Sequence, residues 1–264
     1  MRKHVVALAC VSVSAGLTGT AQADRLVDVA EIQRGAFSSP RFGPGDRELL
    51  VTGPKLAGLY VIALDGGAAR KLTDEAAAGV AARWSADGSV RYRAVRAGAR
   101  RDLVIDRAGQ VRAAPLEASA VVVAQDERIY VRDRAGQLAS IGSGDRFFAP
   151  EVSPDGDRVV FQGLSTGIHI YTRSTGELVH VGQGTAPSWS ADGSRLVFEL
   201  TEDDGHDLIA SDLYVYDLAA RRTHRLTATP SVLERRPSFA SDGRRVAFDD
   251  DAGGVFVGRL EEVR

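Results

Sequence analysis

The chain has a single cysteine, Cys10, and only three lysines, Lys3, Lys55 and Lys71. One cysteine excludes a disulfide framework and every multi-cysteine metal motif. Positive charge is not in excess either: 33 Lys+Arg stand against 35 Asp+Glu, a formal net charge of −2. Such a chain has no surplus of cations to replace the counterions of a phosphate backbone, so no nucleic-acid partner is expected. Past the N-terminal segment no apolar run is long enough to span a bilayer, so no transmembrane segment is expected in the mature chain.

What remains is ordinary globular material, with 44% hydrophobic and 26% charged residues in 264. That length suits one all-β domain or two smaller domains. Its first segment reads as an address. Arg2 and Lys3 form a positive start, Val5 to Leu17 is apolar or small, and Ala21-Gln22-Ala23 offers small residues at the cleavage positions. This is the layout of a secretory signal peptide covering residues 1–23, and it predicts a periplasmic or secreted protein. An alternative takes Ala7-Leu8-Ala9-Cys10 as a lipoprotein box, with only about five apolar residues ahead of the cysteine. With cleavage after Ala23, Cys10 leaves and the mature chain has no thiol to mispair in an oxidising compartment.

Residues 24–264 carry an internal repeat. Pro187-Ser188-Trp189-Ser190-Ala191-Asp192-Gly193-Ser194-Arg195-Leu196-Val197-Phe198 matches Pro237-Ser238-Phe239-Ala240-Ser241-Asp242-Gly243-Arg244-Arg245-Val246-Ala247-Phe248 position by position. Pro150 to Phe161 is a third copy, Arg83-Trp84-Ser85-Ala86-Asp87-Gly88 opens another, and Arg41 to Asp46 is a worn one. Each reads as strand, tight turn, strand, because Gly takes the positive φ such a turn demands and Asp bonds its backbone. The turn pairs Asp87-Gly88, Asp155-Gly156, Asp192-Gly193 and Asp242-Gly243 are therefore structural. The second strands are apolar on both faces, as suits a sheet packed between two neighbours.

A third and fourth strand follow each hairpin, as in Leu213-Tyr214-Val215-Tyr216 and then His224-Arg225-Leu226-Thr227. The third-strand markers Tyr60, Val104, Tyr130, Tyr171, Tyr214 and Phe256 lie 44, 26, 41, 43 and 42 residues apart. Four strands recurring every forty or so residues is the pattern of a propeller blade, and six markers predict an all-β, six-bladed β-propeller of four-stranded antiparallel blades. The interval of 26 is the weak point. Blade three must fit its first two strands between about Pro115 and Ala124, without an Asp-Gly turn; if it is no blade, the count is five with an insert. Blade six lacks a fourth strand, and Leu26 to Ile32 is a spare one, so the N-terminal strand is expected to complete the last blade and remove an open edge.

The Trp-Ser-x-Asp-Gly-x-Arg pattern with its following Leu-Tyr-Val-x-Asp-Leu and Arg-x-Leu-Thr segments resembles the propeller repeat of the TolB family. The resemblance covers nearly all of the mature chain. In that family an N-terminal α/β domain precedes a six-bladed propeller, and the protein binds peptidoglycan-associated lipoprotein. Only about fifteen residues separate Ala23 from the first blade, so the α/β domain is not expected here. The resemblance implies an envelope adaptor. The same repeat is similar to the gating propeller of prolyl oligopeptidases, though no hydrolase domain is expected here.

Several groups invite chemistry. Gly163-Leu164-Ser165-Thr166-Gly167 spells a nucleophile elbow, yet it joins two predicted strands of one blade, where a hairpin loop is expected. His169, His180, His206 and His224 have no ligand spacing. Trp84, Trp189, Phe42 and Phe239 recur at one repeat position, which means packing between blades. Asp203, Asp204 and Asp207 of blade five and Asp249, Asp250 and Asp251 of blade six fall in loops between second and third strands. Asp203, Asp204, Asp207, Asp250 and Asp251 are candidate Ca²⁺ ligands, since carboxylate oxygens suit a hard cation; a solvated acidic rim is the alternative, and no cofactor is otherwise expected. The matching loop of blade two holds Arg96, Arg100 and Arg101. Blades two and five stand opposite in a ring of six, so the face would be basic on one side and acidic on the other. Arg96, Arg100, Arg101, Asp203, Asp204, Asp249, Asp250 and Asp251 are the candidate partner-binding residues.

These readings predict an exported, non-enzymatic binding module with a protein partner in the cell envelope, and a monomer, since a closed ring needs no second copy. The alternatives are a lyase or hydrolase acting on a polysaccharide or small molecule with a metal in the acidic loops, or a scaffold acting beside another protein.

Overall fold

The computed structural model describes residues 24–114, 121–132, 136–230 and 232–261. Its strands form six separate antiparallel sheets. The N-terminal strand β1 (Arg25–Arg34) is set aside for the last of them. Blade one is β2 (Ser38–Phe42), β3 (Glu48–Thr52), β4 (Leu59–Ala63) and β5 (Arg70–Thr73). Blade two is β6 (Arg83–Trp84), β7 (Val90–Arg96), β8 (Ala99–Ile105) and β9 (Val111–Ala113). Blade three shows β10 (Val122–Gln125), β11 (Arg128–Arg132) and β12 (Leu138–Ile141). Blade four is β13 (Phe147–Val152), β14 (Arg158–Gly163), β15 (Gly167–Thr172) and β16 (Leu178–Gly182). Blade five is β17 (Thr185–Trp189), β18 (Arg195–Asp203), β19 (Leu208–Asp217) and β20 (Arg222–Arg225). Blade six is β21 (Glu234–Phe239), β22 (Arg245–Asp250), β23 (Gly254–Glu261) and, beside β23, β1.

The closure expected from the sequence is present. β1 pairs with β23 from Arg25↔Glu261 to Arg34↔Gly254, so the beginning and end of the propeller share one sheet. Blade three stands as a sheet of its own. Its second and third strands, β10 and β11, are joined by a two-residue turn at Asp126 and Glu127, both at positive φ. The sequence placed two strands between Pro115 and Ala124. β10 is one of them, and residues 115–120, the place of the other, lie outside the described residues.

Burial follows the repeat. Val159, Val160 and Phe161 on β14, and Leu196 and Val197 on β18, are fully buried, because each second strand has a sheet on either side. The cores lie between blades: Leu50, Leu59 and Val61 pack with Val90, Tyr92 and Leu103, and Val197 and Val215 pack with Val246 and Phe248. The turns carry the capping that Asp-Gly implies. Asp192 accepts hydrogen bonds from Ser190 Oγ at 2.6 Å and Ser194 N at 3.0 Å, and Gly193 takes φ 68°. The Ser190 hydroxyl, first among these donors, holds the Asp192 carboxyl down to about 2. Asp155 bonds Ser153 Oγ and Asp157 N, and Asp87 bonds Ser89 N and Oγ.

A second repeated device was not expected. In four blades the residue before the first-strand proline lies in the left-handed region: Ser39, Ala149, Ala186 and Arg236, at φ 54°, 49°, 52° and 48°. Each sits in a bulge that interrupts the pairing of first and second strands. The bulge turns that residue's N–H out of its own sheet, and for three of the four a side chain of the preceding blade accepts it. Gln162 Oε1 takes Ala186 N at 3.0 Å, Glu199 takes Arg236 N, and Asp249 Oδ1 takes Ser39 N at 2.9 Å. Blade four is thus clamped to five, five to six, and six to one.

Candidate functional site: two mouths and two arms

The ends of the ring differ. The Asp-Gly turns gather round one mouth of the axial channel, where a cavity of about 450 Å³ is lined by Phe42, Trp84, Glu151, Trp189 and Phe239 with their adjoining turns. Arg41 of blade one and Glu151 of blade four approach to 3.7 Å across it. The recurrent aromatics hold neighbouring blades together. Trp84 Nε1 donates to the Arg41 carbonyl at 3.3 Å, Trp189 Nε1 donates to the Glu151 carbonyl at 3.2 Å, and Arg195 and Arg245 lie over the rings of Phe239 and Phe42.

With the Asp-Gly turns at one end, the hairpins between second and third strands lie at the other. In blades one, four and six they end level with their sheets: Thr52 still pairs with Ser38, Gly163 with Phe147, and Asp250 with Glu234. Blades two and five differ. β6 pairs with β7 only at Arg83↔Arg91 and Trp84↔Val90, yet β7 and β8 stay paired out to Arg96↔Ala99. β17 pairs with β18 no further than Thr185↔Glu199, yet β18 and β19 stay paired out to Asp203↔Leu208. Two ribbons therefore run past their first strands in opposite blades; the blade-two ribbon is flanked by the connection from β5, with Val95 N donating to the Ala76 carbonyl at 3.4 Å.

The blade-two arm carries Arg93, Arg96, Arg100 and Arg101 against Asp102. Arg93 is paired with Asp102 at 2.8 Å and Arg96 with Glu75, which ties the tip of the arm to the preceding connection. Arg100 and Arg101 are exposed, and no partner is described for them. The blade-five arm carries Glu202, Asp203, Asp204 and Asp207 around Gly205 and His206, all exposed. Asp203 and Asp204 shape the tip by accepting the N–H groups of Gly205, His206 and Asp207 at 2.9 Å, and those bonds hold the Asp204 carboxyl below its usual range. Exposed aliphatic side chains accompany the charges: Val95 on one arm, Leu208 and Ile209 on the other.

The candidate residues thus separate into two groups. Arg100, Arg101, Asp203, Asp204 and Asp207 are on the arms. Asp251 is exposed in the short loop of blade six. Asp249 is a correction: it is fully buried, ion-paired with Arg236 and bonded to Ser39 N, so it is a clamp between blades and offers nothing to a partner. Burial pushes its carboxyl up to about 6 despite the guanidinium. Asp250 is likewise buried and accepts Gly254 N at 2.6 Å. The proposed cation set is split in consequence. Among the described residues no three His, Cys, Asp or Glu side chains converge on a point where they could hold a metal ion.

Ser165 lies in the hairpin between β14 and β15, followed by a strand and not by the helix an elbow requires. Asp145 pins that loop by accepting Ser165 N, Thr166 N and Thr166 Oγ1 at 2.7–2.9 Å, which holds its carboxyl well below the usual range. The Thr166 hydroxyl also meets His169 Nε2 at 2.8 Å. Since the threonine proton goes to the ionised Asp145, His169 is the donor to Thr166, and Ser165 Oγ likewise donates to Asp145 at 3.3 Å. His169 stacks on Phe161 and on His180, and burial, then His180, lowers its pKa.

Sequence reasoning missed the clamp residues Gln162 and Glu199. Their signal was present: a polar residue directly follows the phenylalanine in Phe161-Gln162, Phe198-Glu199 and Phe248-Asp249. Six antiparallel sheets round one axis, sewn shut by the N-terminal strand, define a closed β-propeller. The sequence model of the TolB beta propeller domain matches residues 117–256, more than half of the chain, and the protein belongs to that family.

Solved structures with the same architecture include a gluconolactonase from Xanthomonas campestris, at 13% identity and TM-score 0.62 over 90% of this chain and 91% of that one. The β-propeller domain of Cps50 (Swd1) from Myceliophteria thermophila is similar at 11% identity and TM-score 0.61, over 90% of this chain and 100% of that one. An oligogalacturonate lyase from Vibrio parahaemolyticus matches at 14% identity and TM-score 0.54, over 89% and 94%. At these identities the likeness is one of fold, which hosts unrelated activities. Among the described residues no helix is long and apolar enough to cross a membrane.

Proposed function

We propose that this protein is an exported, non-enzymatic binding module of the bacterial cell envelope that holds a protein partner on the face bearing the two arms. The observation that carries this reading is the pair of charged ribbons that run past their first strands in opposite blades. They carry uncompensated charge of opposite sign, with Val95, Leu208 and Ile209 exposed beside it. Charged groups set on an exposed rim steer a partner's approach and fix its register, and aliphatic side chains among them supply area to bury. Export rests on the residues of the 1–23 segment.

The enzyme reading has the fold likeness to a gluconolactonase and an oligogalacturonate lyase behind it. The acids it would use for a metal are divided between the blade-five arm and the buried clamps of blade six. The partner reading is tested by in-cell cross-linking of the tagged protein in envelope fractions, read by mass spectrometry, beside a bait carrying Arg100→Glu and Arg101→Glu. One protein recovered with the first bait and lost with the second supports it. Equal recovery with both discards the arms as the contact, and recovery of no specific protein discards the adaptor.

A further inference from the structure

The two arms are complementary in charge to each other. They occupy opposite blades of a six-bladed ring, rise from the same face, and carry opposite charge. Take a two-fold axis parallel to the plane of the ring, just beyond this face and at right angles to the line through blades two and five. It lays a second copy face to face on the first and brings blade two of each over blade five of the other. The basic arm of one copy then meets the acidic arm of its mate, and the same contact is made twice. An isologous interface needs a surface complementary to itself under a two-fold operation. Opposite charge on two blades of one face meets that condition, with blade two of each copy over blade five of the other.

The side chains fit the same operation. Arg100 and Arg101 of one arm have no described partner in their own chain, and neither do the Glu202 and Asp207 carboxylates of the other. Val95 pairs across its ribbon with Arg100, so an exposed aliphatic lies beside the free cation. Leu208 pairs with Asp203, with Ile209 next to it, so the acidic arm has the same make-up. Stacking sets Val95 against Leu208 and Ile209 within a surround of opposite charges.

We infer that the free protein pairs with a second copy of itself through this face, Arg100 and Arg101 of each chain engaging Glu202 and Asp207 of the other. The inference rests on the arm face being the binding face. It adds that the face is self-covered until a partner displaces the second copy, where the sequence pointed to a monomer.

The test is sedimentation of the purified protein over a range of concentrations at low and high salt. The wild type is expected to move toward twice the monomer mass at low salt and back to the monomer as salt screens the arms. R100E/R101E makes both arms acidic, and E202R/D207R puts cations at the two acidic positions that face Arg100 and Arg101. Each variant alone is expected to dimerise at least tenfold more weakly. A one-to-one mixture of the two is expected to form a heterodimer, because every contact is then between opposite charges. Asp203 and Asp204 are left intact to keep the turn. A wild type that stays monomeric at every concentration overturns the pairing, and so does a dimer that ignores either reversal or a mixture that does not associate. The outcomes are separable from those of the partner reading. A monomer that still captures an envelope protein defeats only the self-pairing, and a dimer that captures none defeats only the adaptor.

Discussion

Arg41 and Glu151 face each other across the axis of the propeller, Nη1 to Oε2 at 3.7 Å, from blades one and four. Each belongs to the first strand of its blade, and each has its own carbonyl held by the tryptophan of the next blade, Trp84 or Trp189. The charges are partly open to water, with side chains 42% and 34% exposed, so the pair adds little to stability. The indole bonds are a different matter, because Trp189 is buried and also fills the seam between blades four and five. Glu151→Gln is expected to change the unfolding free energy by less than about 1 kcal/mol. Trp189→Ala is expected to cost about 3–5 kcal/mol. Urea denaturation of the two variants checks the order, and a larger loss from Glu151→Gln would show that the charges, not the tryptophans, hold the channel.

The clamps give a second expectation. Ala186 N has its hydrogen bond only because the bulge before Pro187 turns it toward Gln162 of the preceding blade. Gln162 is 7% exposed, so Gln162→Ala strands a donor where water has little access. The cost of such a group is about 1–3 kcal/mol. Gln162→Glu keeps an acceptor of similar reach, and it is expected to recover most of the loss at acid pH, where the protonated carboxyl offers its carbonyl oxygen and no charge is buried. Thermal unfolding of the pair at pH 5 checks this, and equal losses in both variants would show that packing rather than the accepted N–H is what Gln162 supplies.

The contrast between turns and clamps shows what could be read from the chain. The Asp-Gly turns bond within four or five residues, so their pattern is written locally and marked the repeat, while the spacing of the third-strand markers gave the blade count and the missing fourth strand of blade six gave the closure by β1. Each clamp joins residues 24, 37 or 210 positions apart, and only the ring brings them together. Asp249 was misplaced for that reason. As one of three consecutive aspartates it looked like an exposed loop, whereas the strand alternation of β22 turns it inward to Arg236. The arms were half legible. Their charges were in the sequence, but their height was not, because it depends on where the flanking strands β6 and β17 stop.

Asp192 tests the turns. Its carboxylate gathers Ser190, Ser194 N and Ser194 Oγ, with a pKa held down to about 2 by the Ser190 hydroxyl first and the Ser194 N–H second. A depressed carboxyl contributes stability that is present above its ordinary value near 4 and is lost as pH falls toward 2. Asp192→Ala is expected to cost about 0.5–2 kcal/mol at neutral pH, on the scale of losing a capping aspartate. The difference between variant and wild type should shrink below pH 4. Melting curves at pH 7 and pH 3 check both, and a difference that stays constant across that range would remove the carboxylate's charge from the explanation.

Glu234 reverses that sign. It is 3% exposed at the start of β21, and burial pushes its carboxyl up to about 7, against the opposing hydrogen bonds of Thr229 and Thr227, the latter donated at 2.9 Å. A carboxyl raised above its unfolded value near 4.5 leaves the folded state with the more protons between those two values. Stability from this group is full below about pH 4.5 and is lost as pH rises through about 7. Its size is of order 3 kcal/mol, since each unit of difference is about 1.4 kcal/mol. Asp249, raised to about 6, acts in the same direction over a lower window. Glu234→Gln keeps the shape, keeps an acceptor for Thr227, and has no proton to lose. The variant is therefore expected to match the wild type near pH 4.5 and to exceed it at pH 8, with a flatter stability curve between. Urea midpoints taken from pH 4.5 to 8 decide this, and a variant that is less stable than the wild type at pH 8 would mean that the ionised carboxylate is satisfied where it lies.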